Sequence, residues 1–518
     1  MWELDLVNLY PPLMKSILLA ITLLIIINFD SIIKPFKTIK RRTWILLLII
    51  FLCGLYIRLF VIPHTHYIYT DDYDHEILSE NILHNNKFCE CEFGSIQHCE
   101  SCFLIPWPAG YHSVLSLVLG VFGDSEAVAF NTNAVIGSLS IILIFLLLFL
   151  TFQDSALALM GAFVFNFIPV HLKYSGAIGL EIFSLFSLIL TMIFLEIYLK
   201  TRKYPTFLLF LATLLYALNS RPENFLLLLP LSFYIWSNEK RELRKFLRWE
   251  YLAAILVFFI LLIPLFQLLQ YGTAVEPEWN DPLQTKLNYL QKHLVYNITF
   301  FFDNNYNSPL FSLICILGAI QLYFTDNKKF VVYSSFLLLF LLMYSSFRSG
   351  GINNPYPEPV RYDIMLYLAL TIFFVAGTLS IIKNLQFNKE FLIVIISLAY
   401  LITLSNTQNS IFLENQWGVD YRFILSMNDR LPPDVYVLSY GQYSIMAATH
   451  KNSVSPDKFI QNWDAIEPKN NLILFKNYLW YEKSNESSRI EEELKKYYNF
   501  TLIAESPEGY AFYNLTLK

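Results

Sequence analysis

Residues 127–151 read AVAFNTNAVIGSLSIILIFLLLFLT, a run without one Asp, Glu, Lys or Arg. A bilayer core of about 30 Å needs roughly 20 apolar residues of helix, because lipid offers backbone N–H and C=O groups no partner outside the segment. This stretch meets that length, and the chain repeats it. Comparable runs lie at 13–30, 43–62, 155–171, 179–199, 205–219, 224–237, 251–271, 309–325, 330–347, 363–382 and 390–405, which makes twelve candidate spans. The runs at 155–171, 205–219 and 224–237 are short, so one re-entrant hairpin would lower the number by one. The first run follows an acidic start with no basic segment, which reads as a span and not as a cleaved signal peptide.

Composition points the same way. Of 518 residues, 55% are hydrophobic and 15% charged, against about 25% charged in soluble domains. That is too little charge to cover such a chain in water. The expected class is an α-helical polytopic membrane protein. A net charge of −5 gives no basic field for a nucleic-acid partner.

Lys and Arg concentrate in cytoplasmic loops of membrane proteins. Alternating the twelve spans puts 34–42, 152–154, 200–204, 238–250, 326–329 and 383–389 on one side, with 17 Lys and Arg among them. The opposite loops hold seven over about three times the length: Lys87, Lys173, Arg221, Lys286, Lys292, Arg348 and Arg361. The richer side is therefore expected to be cytoplasmic. The protein is then a multi-pass cell-membrane protein with long loops at 63–126, 272–308 and 348–362 outside, together with the tail. That tail, 406–518, has 11 Lys and Arg against 14 Asp and Glu and no spanning run. It is expected to form a small exoplasmic α/β domain beside a membrane domain over 1–405. Its signals are β-type runs at Asp434–Ser439 and Asn471–Phe475, a charged helical pattern over Ser488–Tyr498, and a hairpin of Phe500–Ala504 with Tyr510–Leu517 around Pro507-Glu508-Gly509. Asn-x-Ser/Thr tripeptides at Asn297, Asn485, Asn499 and Asn514 all fall on segments placed outside.

Charged residues near the outer ends of spans carry the chemistry. Tyr69-Thr70-Asp71-Asp72-Tyr73-Asp74-His75-Glu76 opens the first outer loop with four carboxylates and an imidazole. If the segment is helical, Asp71, Asp72 and His75 share a face. Paired carboxylates at a water–lipid boundary suit a general base or a cation site; a solvated helix start favoured by the helix dipole is the plainer alternative. Glu181 sits inside an apolar run, where a carboxylate is costly unless paired or wet. Arg58, Arg221 and Arg361 lie outside against the charge bias, and a guanidinium there wants a carboxylate, with Glu181 one partner open to Arg58, or a lipid phosphate. Cys89, Cys91, Cys99 and Cys102, with His98 between them, fit either one structural zinc or two disulfides.

These residues resemble a known pattern. A span ending in Arg58-Leu59, followed by Asp71-Asp72, is similar to the first exoplasmic loop of the glycosyltransferase-C (GT-C) superfamily. The likeness is strongest to glycosyltransferase family 39, which includes the dolichyl-phosphate-mannose protein mannosyltransferases and the lipid A aminoarabinose transferase. Asp71 matches that family's catalytic aspartate and Asp72 the adjoining glutamate. Pro106-Trp107-Pro108-Ala109-Gly110-Tyr111 with Val121-Phe122-Gly123, then Ser220-Arg221-Pro222-Glu223, and Arg361-Tyr362, resemble further family motifs. The sequence departs from the family before Glu181, where an arginine is usual; here Gly176 and Ala177 stand there and Lys173 is the nearest cation. The Trp-Trp-Asp-Tyr-Gly signature of the related oligosaccharyltransferases is absent, and Gln416–Tyr421 echoes it only loosely.

The resemblance implies a sugar donor carried on polyprenyl or dolichyl phosphate, drawn from the membrane lipid phase, and an acceptor that is protein, lipid or glycan. Asp71 would be the base. Arg221 and Arg361 would hold the phosphate, while Asp72, Glu181 or His75 would place the acceptor; Arg58, Lys173 and Tyr362 complete the candidate substrate contacts. Family 39 relatives need no metal and oligosaccharyltransferases use a divalent cation, so a cation on Asp71, Asp72 and Glu181 stays open. An oligosaccharyltransferase-like enzyme is the nearest alternative. A polytopic secondary transporter is the rival of another class, and it would place its charges near mid-membrane.

Overall fold

The computed structural model describes residues 2–518 except 68, 95–98, 240–245, 247, 276–280, 305, 348–358, 386, 405–406, 408–415 and 462–470. His98, Arg348 and most of the loop expected over 348–362 thus lie outside the described residues. The apolar runs fold as helices: α1 (Trp2–Ile27), α2 (Arg41–Phe60), then, after α3 (Tyr69–Asn85) and α4 (Gly110–Phe122), α5 (Glu126–Phe152), α6 (Ser155–Asn166), α7 (Leu180–Thr201) and α8 (Tyr204–Leu218). A 3-10 turn at Pro222–Leu227 leads into α9 (Leu228–Glu239), followed by α10 (Trp249–Leu261), α11 (Leu283–Phe300), α12 (Pro309–Thr325), α13 (Asn327–Ser345), α14 (Tyr367–Leu385) and α15 (Lys389–Thr403). All twelve expected spans have helical counterparts. Among the described residues, seven helices are long and apolar enough to cross a membrane, and four further apolar helices are shorter.

Local sequence sets the joints. Gln153 takes a left-handed conformation that ends α5, and the Asp154 carboxylate caps α6 by accepting from Ala156 N at 3.0 Å and Leu157 N at 3.2 Å. Helices α7 and α14 are buried inside the bundle, whereas α2 turns Leu46, Leu48, Ile49 and Leu52 outward, as a lipid-facing helix does. Helices α12 and α14 touch backbone to backbone. A Cβ at Gly318 would overlap the Phe373 carbonyl, and one at Gly377 would overlap that of Ile314. Close approach through small residues is how helices associate where lipid is as apolar as the helix surface.

The tail holds the expected α/β unit. Its strands β3 (Tyr436–Leu438), β4 (Asn452–Val454), β5 (Leu472–Lys476), β6 (Tyr498–Glu505) and β7 (Ala511–Leu517) form one sheet in the order β4-β3-β5-β7-β6, parallel among the first three and antiparallel thereafter. The β6–β7 hairpin turns at Gly509, whose φ of +87° suits glycine. Helices α16 (Gln442–Thr449) and α17 (Ser484–Tyr497) pack on the sheet, α17 through Ile490 and Leu494. Met446 and Ala447 of α16 meet Tyr73 and Ile77 of α3, which seats the tail on the first loop. In that loop β1 (Glu90–Gly94) pairs with β2 (Cys99–Phe103), and disulfides Cys89–Cys102 and Cys91–Cys99 tie the two strands.

One glycosylation tripeptide does not fit its expected role. Asn297 is buried and donates to Ser345 Oγ at 2.9 Å, because α11 packs that face against α13. Asn485 and Asn499 are exposed.

Replacing Gly318 with Val should push α12 from α14 and lower the thermal unfolding midpoint in detergent, by the ~1–3 kcal/mol typical of overpacking. Leu317→Val, at an outward-facing position, should leave the midpoint nearly unchanged.

Candidate active site

Helix α3 is buried on nearly every face, and its residues fall into stripes because neighbours along a helix face are three or four apart. Asp71 and His75 form one stripe and line a cavity. Asp72 and Glu76 form a second, turned away from it and fully buried. Tyr73 and Ile77 form a third, against the tail.

Three other segments complete the cavity, whose volume is about 170 Å³. Asn133 of α5 donates to the carbonyls of Ala177 (2.6 Å) and Gly179 (3.0 Å), shaping the loop that delivers Glu181 into the first turn of α7, where the helix dipole favours a carboxylate. Pro222 holds the residue before it extended, and Arg221 has φ −152° and ψ 140°. Gly110 N–H donates to Asn219 C=O at 2.8 Å and the Tyr216 hydroxyl donates to Gly110 C=O at 2.7 Å, so the stretches 106–111 and 219–223 brace each other. A Cβ at Gly110 would overlap the Asn219 carbonyl, which accounts for glycine there. Arg361 and Tyr362 come from a 3-10 turn, Pro359–Leu366, that runs into α14.

The charges interlock. Arg361 Nη2 lies 2.7 Å from Asp71 Oδ2, and its Nε 3.8 Å from Glu181 Oε1. The same Glu181 oxygen lies 3.4 Å from Arg221 Nη1. Arg221 also grips Glu223 through Nη2 at 3.2 Å and Nε at 3.3 Å. The Tyr362 ring lies beneath both guanidinium groups, at 5.3 Å from Arg221 and 5.0 Å from Arg361, and its hydroxyl accepts from Arg361 at 3.1 Å. Trp107, Met343 and Phe347 supply apolar wall.

His75 has its tautomer set by its neighbours. His112 Nδ1 lies 3.1 Å from the Pro108 carbonyl, which has no proton to give, so Nδ1–H donates. His112 Nε2 is then an acceptor and takes the Nδ1–H of His75 at 3.1 Å. That leaves Nε2 of His75 unprotonated, on a ring that lines the cavity. Burial first, then the nearby His112, Arg361 and Arg221, push the His75 pKa well below the usual imidazole value, so the ring is neutral at pH 7.

The structure thus brings Asp71, His75, Glu181, Arg221, Arg361 and Tyr362 together and places three other sequence candidates elsewhere. Asp72 does not share the face of Asp71 and His75; one residue on, it turns toward His66, with Oδ2 3.9 Å from His66 Nδ1. Lys173 lies over the Tyr67 ring at 4.8 Å. Arg58 is fully buried and not paired with Glu181. It donates to Ser175 Oγ (3.2 Å), Gly54 C=O (3.1 Å), Asn166 Oδ1 (2.7 Å) and Asn166 C=O (3.2 Å), and lies 2.9 Å from His171 Nδ1. Sequence reading missed Glu223, Trp107 and His112 as site residues. Glu223 and Trp107 stand within the family-like motifs, and His112 directly follows the one that ends in Tyr111.

A divalent cation does not fit this cavity as it stands. Asp71 and Glu181 already face guanidinium groups, so an ion would have to displace Arg361 or be repelled by it.

A model of the dolichyl-phosphate-mannose-protein mannosyltransferase family matches residues 108–266, a stretch that holds Glu181 and Arg221 but not Asp71 or Arg361. Solved structures match over nearly the whole chain. The oligosaccharyltransferase of Archaeoglobus fulgidus in its apo form superposes with a TM-score of 0.57 at 12% identity, covering 90% of this chain and 70% of that one. ArnT from Cupriavidus metallidurans bound to undecaprenyl phosphate gives 0.54 at 11% identity, covering 92% and 98%. The fold is that of the GT-C membrane glycosyltransferases, resembling family 39. Archaeoglobus fulgidus AglB, in complex with an inhibitory peptide and a dolichol-phosphate, gives 0.53 at 13% identity, covering 92% and 74%. No curated protein matches the sequence at a significant level. Within this GT-C frame the cavity sits where the acidic first loop, the start of α7 and the turn before α14 converge.

Arg58→Lys should separate structure from site. Several acceptors lose their donor at once, and a buried acceptor left unpaired costs about 1–3 kcal/mol. The unfolding midpoint in detergent should fall, because Arg58 braces the bundle and does not line the cavity.

Proposed function

We propose that this chain is a membrane glycosyltransferase that moves a sugar from a polyprenyl- or dolichyl-phosphate donor to a nucleophilic acceptor at the exoplasmic face. The observation that carries the reading is the Asp71–Arg361 pair standing beside Glu181 and Arg221 in one small cavity. The lipid phosphates bound by the ArnT and AglB neighbours support such a donor, and the peptide bound by AglB supports an acceptor site. The Lys and Arg bias supports the exoplasmic placement of the cavity and of the tail, with 1–405 as membrane domain and 406–518 as outer domain.

At rest Arg361 holds Asp71. A donor phosphate presents oxygens that a guanidinium binds in the same fork geometry. As Arg361 turns to that phosphate, Asp71 loses its cation and becomes a better base. The acceptor oxygen then attacks the anomeric carbon and gives its proton to Asp71. The bond from that carbon to the phosphate oxygen breaks, and Arg221 and Arg361 stabilise the charge left on the phosphate. Direct displacement inverts the anomeric centre. The lone pair on His75 Nε2 accepts from an acceptor or sugar hydroxyl, and Glu181 keeps the two guanidinium groups from drifting apart. No step uses a metal.

The test is transfer from a labelled polyprenyl-phosphate sugar by purified protein in lipid. Asp71→Asn should lower the rate by at least ~100-fold, as loss of a general base does, with the fold intact. Arg221→Lys and Arg361→Lys should raise the KM for donor, since an ammonium lacks the planar fork. Transport of the substrate without transfer would overturn the reading.

A further inference from the structure

The second stripe of α3 has no function in the mechanism above, and its chemistry is unusual. Glu76 is fully buried, and neither of its carboxyl oxygens has a hydrogen-bond partner. Across from it stand His66, from the loop that follows α2, and Glu126, the first residue of α5. One donor atom from each of His66, Glu76 and Glu126 lies within 4.8 Å of the others. His66 Nε2 contacts Glu126 Oε1, and the side chains of both are buried or nearly so, at 0% and 14% exposure. Asp72, Glu80 and Asp124 add further negative charge around Glu76. In the cavity next door each acid faces a guanidinium; here no lysine or arginine is paired with Glu76 or Glu126 among the described residues.

We infer that His66, Glu76 and Glu126 bind one divalent transition ion, of the zinc or manganese type. Several observations point to this class. An imidazole with two carboxylates is a mixed nitrogen and oxygen set, which suits those ions better than magnesium or calcium. Zinc–ligand bonds of about 2.0–2.2 Å put bound donor atoms roughly 3.3 Å apart, so shifts of ~1 Å per donor close the triangle on an ion. Glu76 supplies two buried oxygens without a hydrogen-bond partner, one of them within the group. Behind His66, Asp72 Oδ2 stands 3.9 Å from Nδ1, on the side from which a carboxylate orients a ligating imidazole. The rings of Tyr73, at 3.9 Å, and Tyr421, at 4.9 Å, flank His66 and limit its motion. The partial exposure of Glu126 gives the ion a way in.

The ion would join three segments: the loop after α2, the middle of α3, and the start of α5. Because Asp71 lies on the adjoining stripe of the same helix, fixing Glu76 fixes the rotation of α3 and hence the aim of Asp71. The role is one of positioning, and the site stands whether or not the glycosyltransferase reading does.

The experiment strips full-length purified protein with a chelator, adds Co²⁺, and follows its visible absorption and, separately, bound metal by mass spectrometry, with Zn²⁺ as competitor. One Co²⁺ per chain, displaced by Zn²⁺, is expected. His66→Gln and Glu76→Gln should weaken binding at least ~10-fold, whereas Asp71→Asn and Glu181→Gln should leave stoichiometry and spectrum unchanged. If Glu76→Gln does not fold, Glu126→Gln, at the more exposed position, should show the same loss, and Zn²⁺ should raise the unfolding midpoint of the unaltered protein but not of this variant. Two results overturn the inference. One is that the unaltered protein retains no ion after dialysis. The other is that binding survives Glu76→Gln and Glu126→Gln, or is lost only in Asp71→Asn, which would put the ion in the cavity.

Discussion

Arg361 cannot be buried in this bundle by itself. A guanidinium taken out of water loses several kcal/mol of hydration, and it recovers that only against well-placed charges and acceptors. Asp71 at 2.7 Å and the Tyr362 hydroxyl at 3.1 Å supply them. The same holds in reverse for Glu181, which is tolerable near the head of a buried helix because two guanidinium groups face it. Four segments far apart in sequence are thereby made interdependent. The start of α3, the head of α7, the break at Arg221 and the turn before α14 must arrive together, since any one arriving alone leaves a buried charge unmatched.

The bundle solves a similar problem a second way at Arg58. There every partner is neutral: a hydroxyl, an amide, an imidazole and backbone carbonyls. Neutral dipoles converging on one cation, with no opening to a cavity, leave nothing for a ligand to replace. Around Arg221 and Arg361 the partners are carboxylates beside open volume. On the donor proposed above, a phosphate would offer the same kind of oxygen, and exchange would cost little. Whether an arginine's partner is a charge that a ligand can mimic distinguishes a site from a brace more reliably than burial, since all three are largely buried.

Much of this was legible in the sequence because apolar length and charge placement are read directly from composition along the chain. The helical runs, the β6–β7 hairpin at Gly509 and the gathering of Asp71, Glu181, Arg221 and Arg361 rest on such signals. What was not legible depends on rotation about a helix or on partners far away. The sequence expectation put Asp72 with Asp71 because each lies three or four residues from His75; a step of one residue between them still turns a side chain by about 100°. Arg58 looked like an anion site because its neutral acceptors lie more than a hundred residues on. Strand β4 is three residues long, too short for alternation to show, and the buried face of Asn297 is set by α13.

Adjacent acids in a sequence pattern are easily taken as one chemical unit. On α3 they belong to two environments. Asp71 stands with His75 in a hollow where positive and negative groups nearly balance, and an ion pair there can be exchanged for another. Asp72 stands with Glu76 on a stripe where acidic side chains crowd together and solvent is excluded. Rotating α3 by one residue would bring Asp72 into the surroundings that Asp71 now has. The packing of Tyr73 and Ile77 against Met446 and Ala447 opposes that rotation, so the tail's contact with the first loop decides which carboxylate faces the cavity.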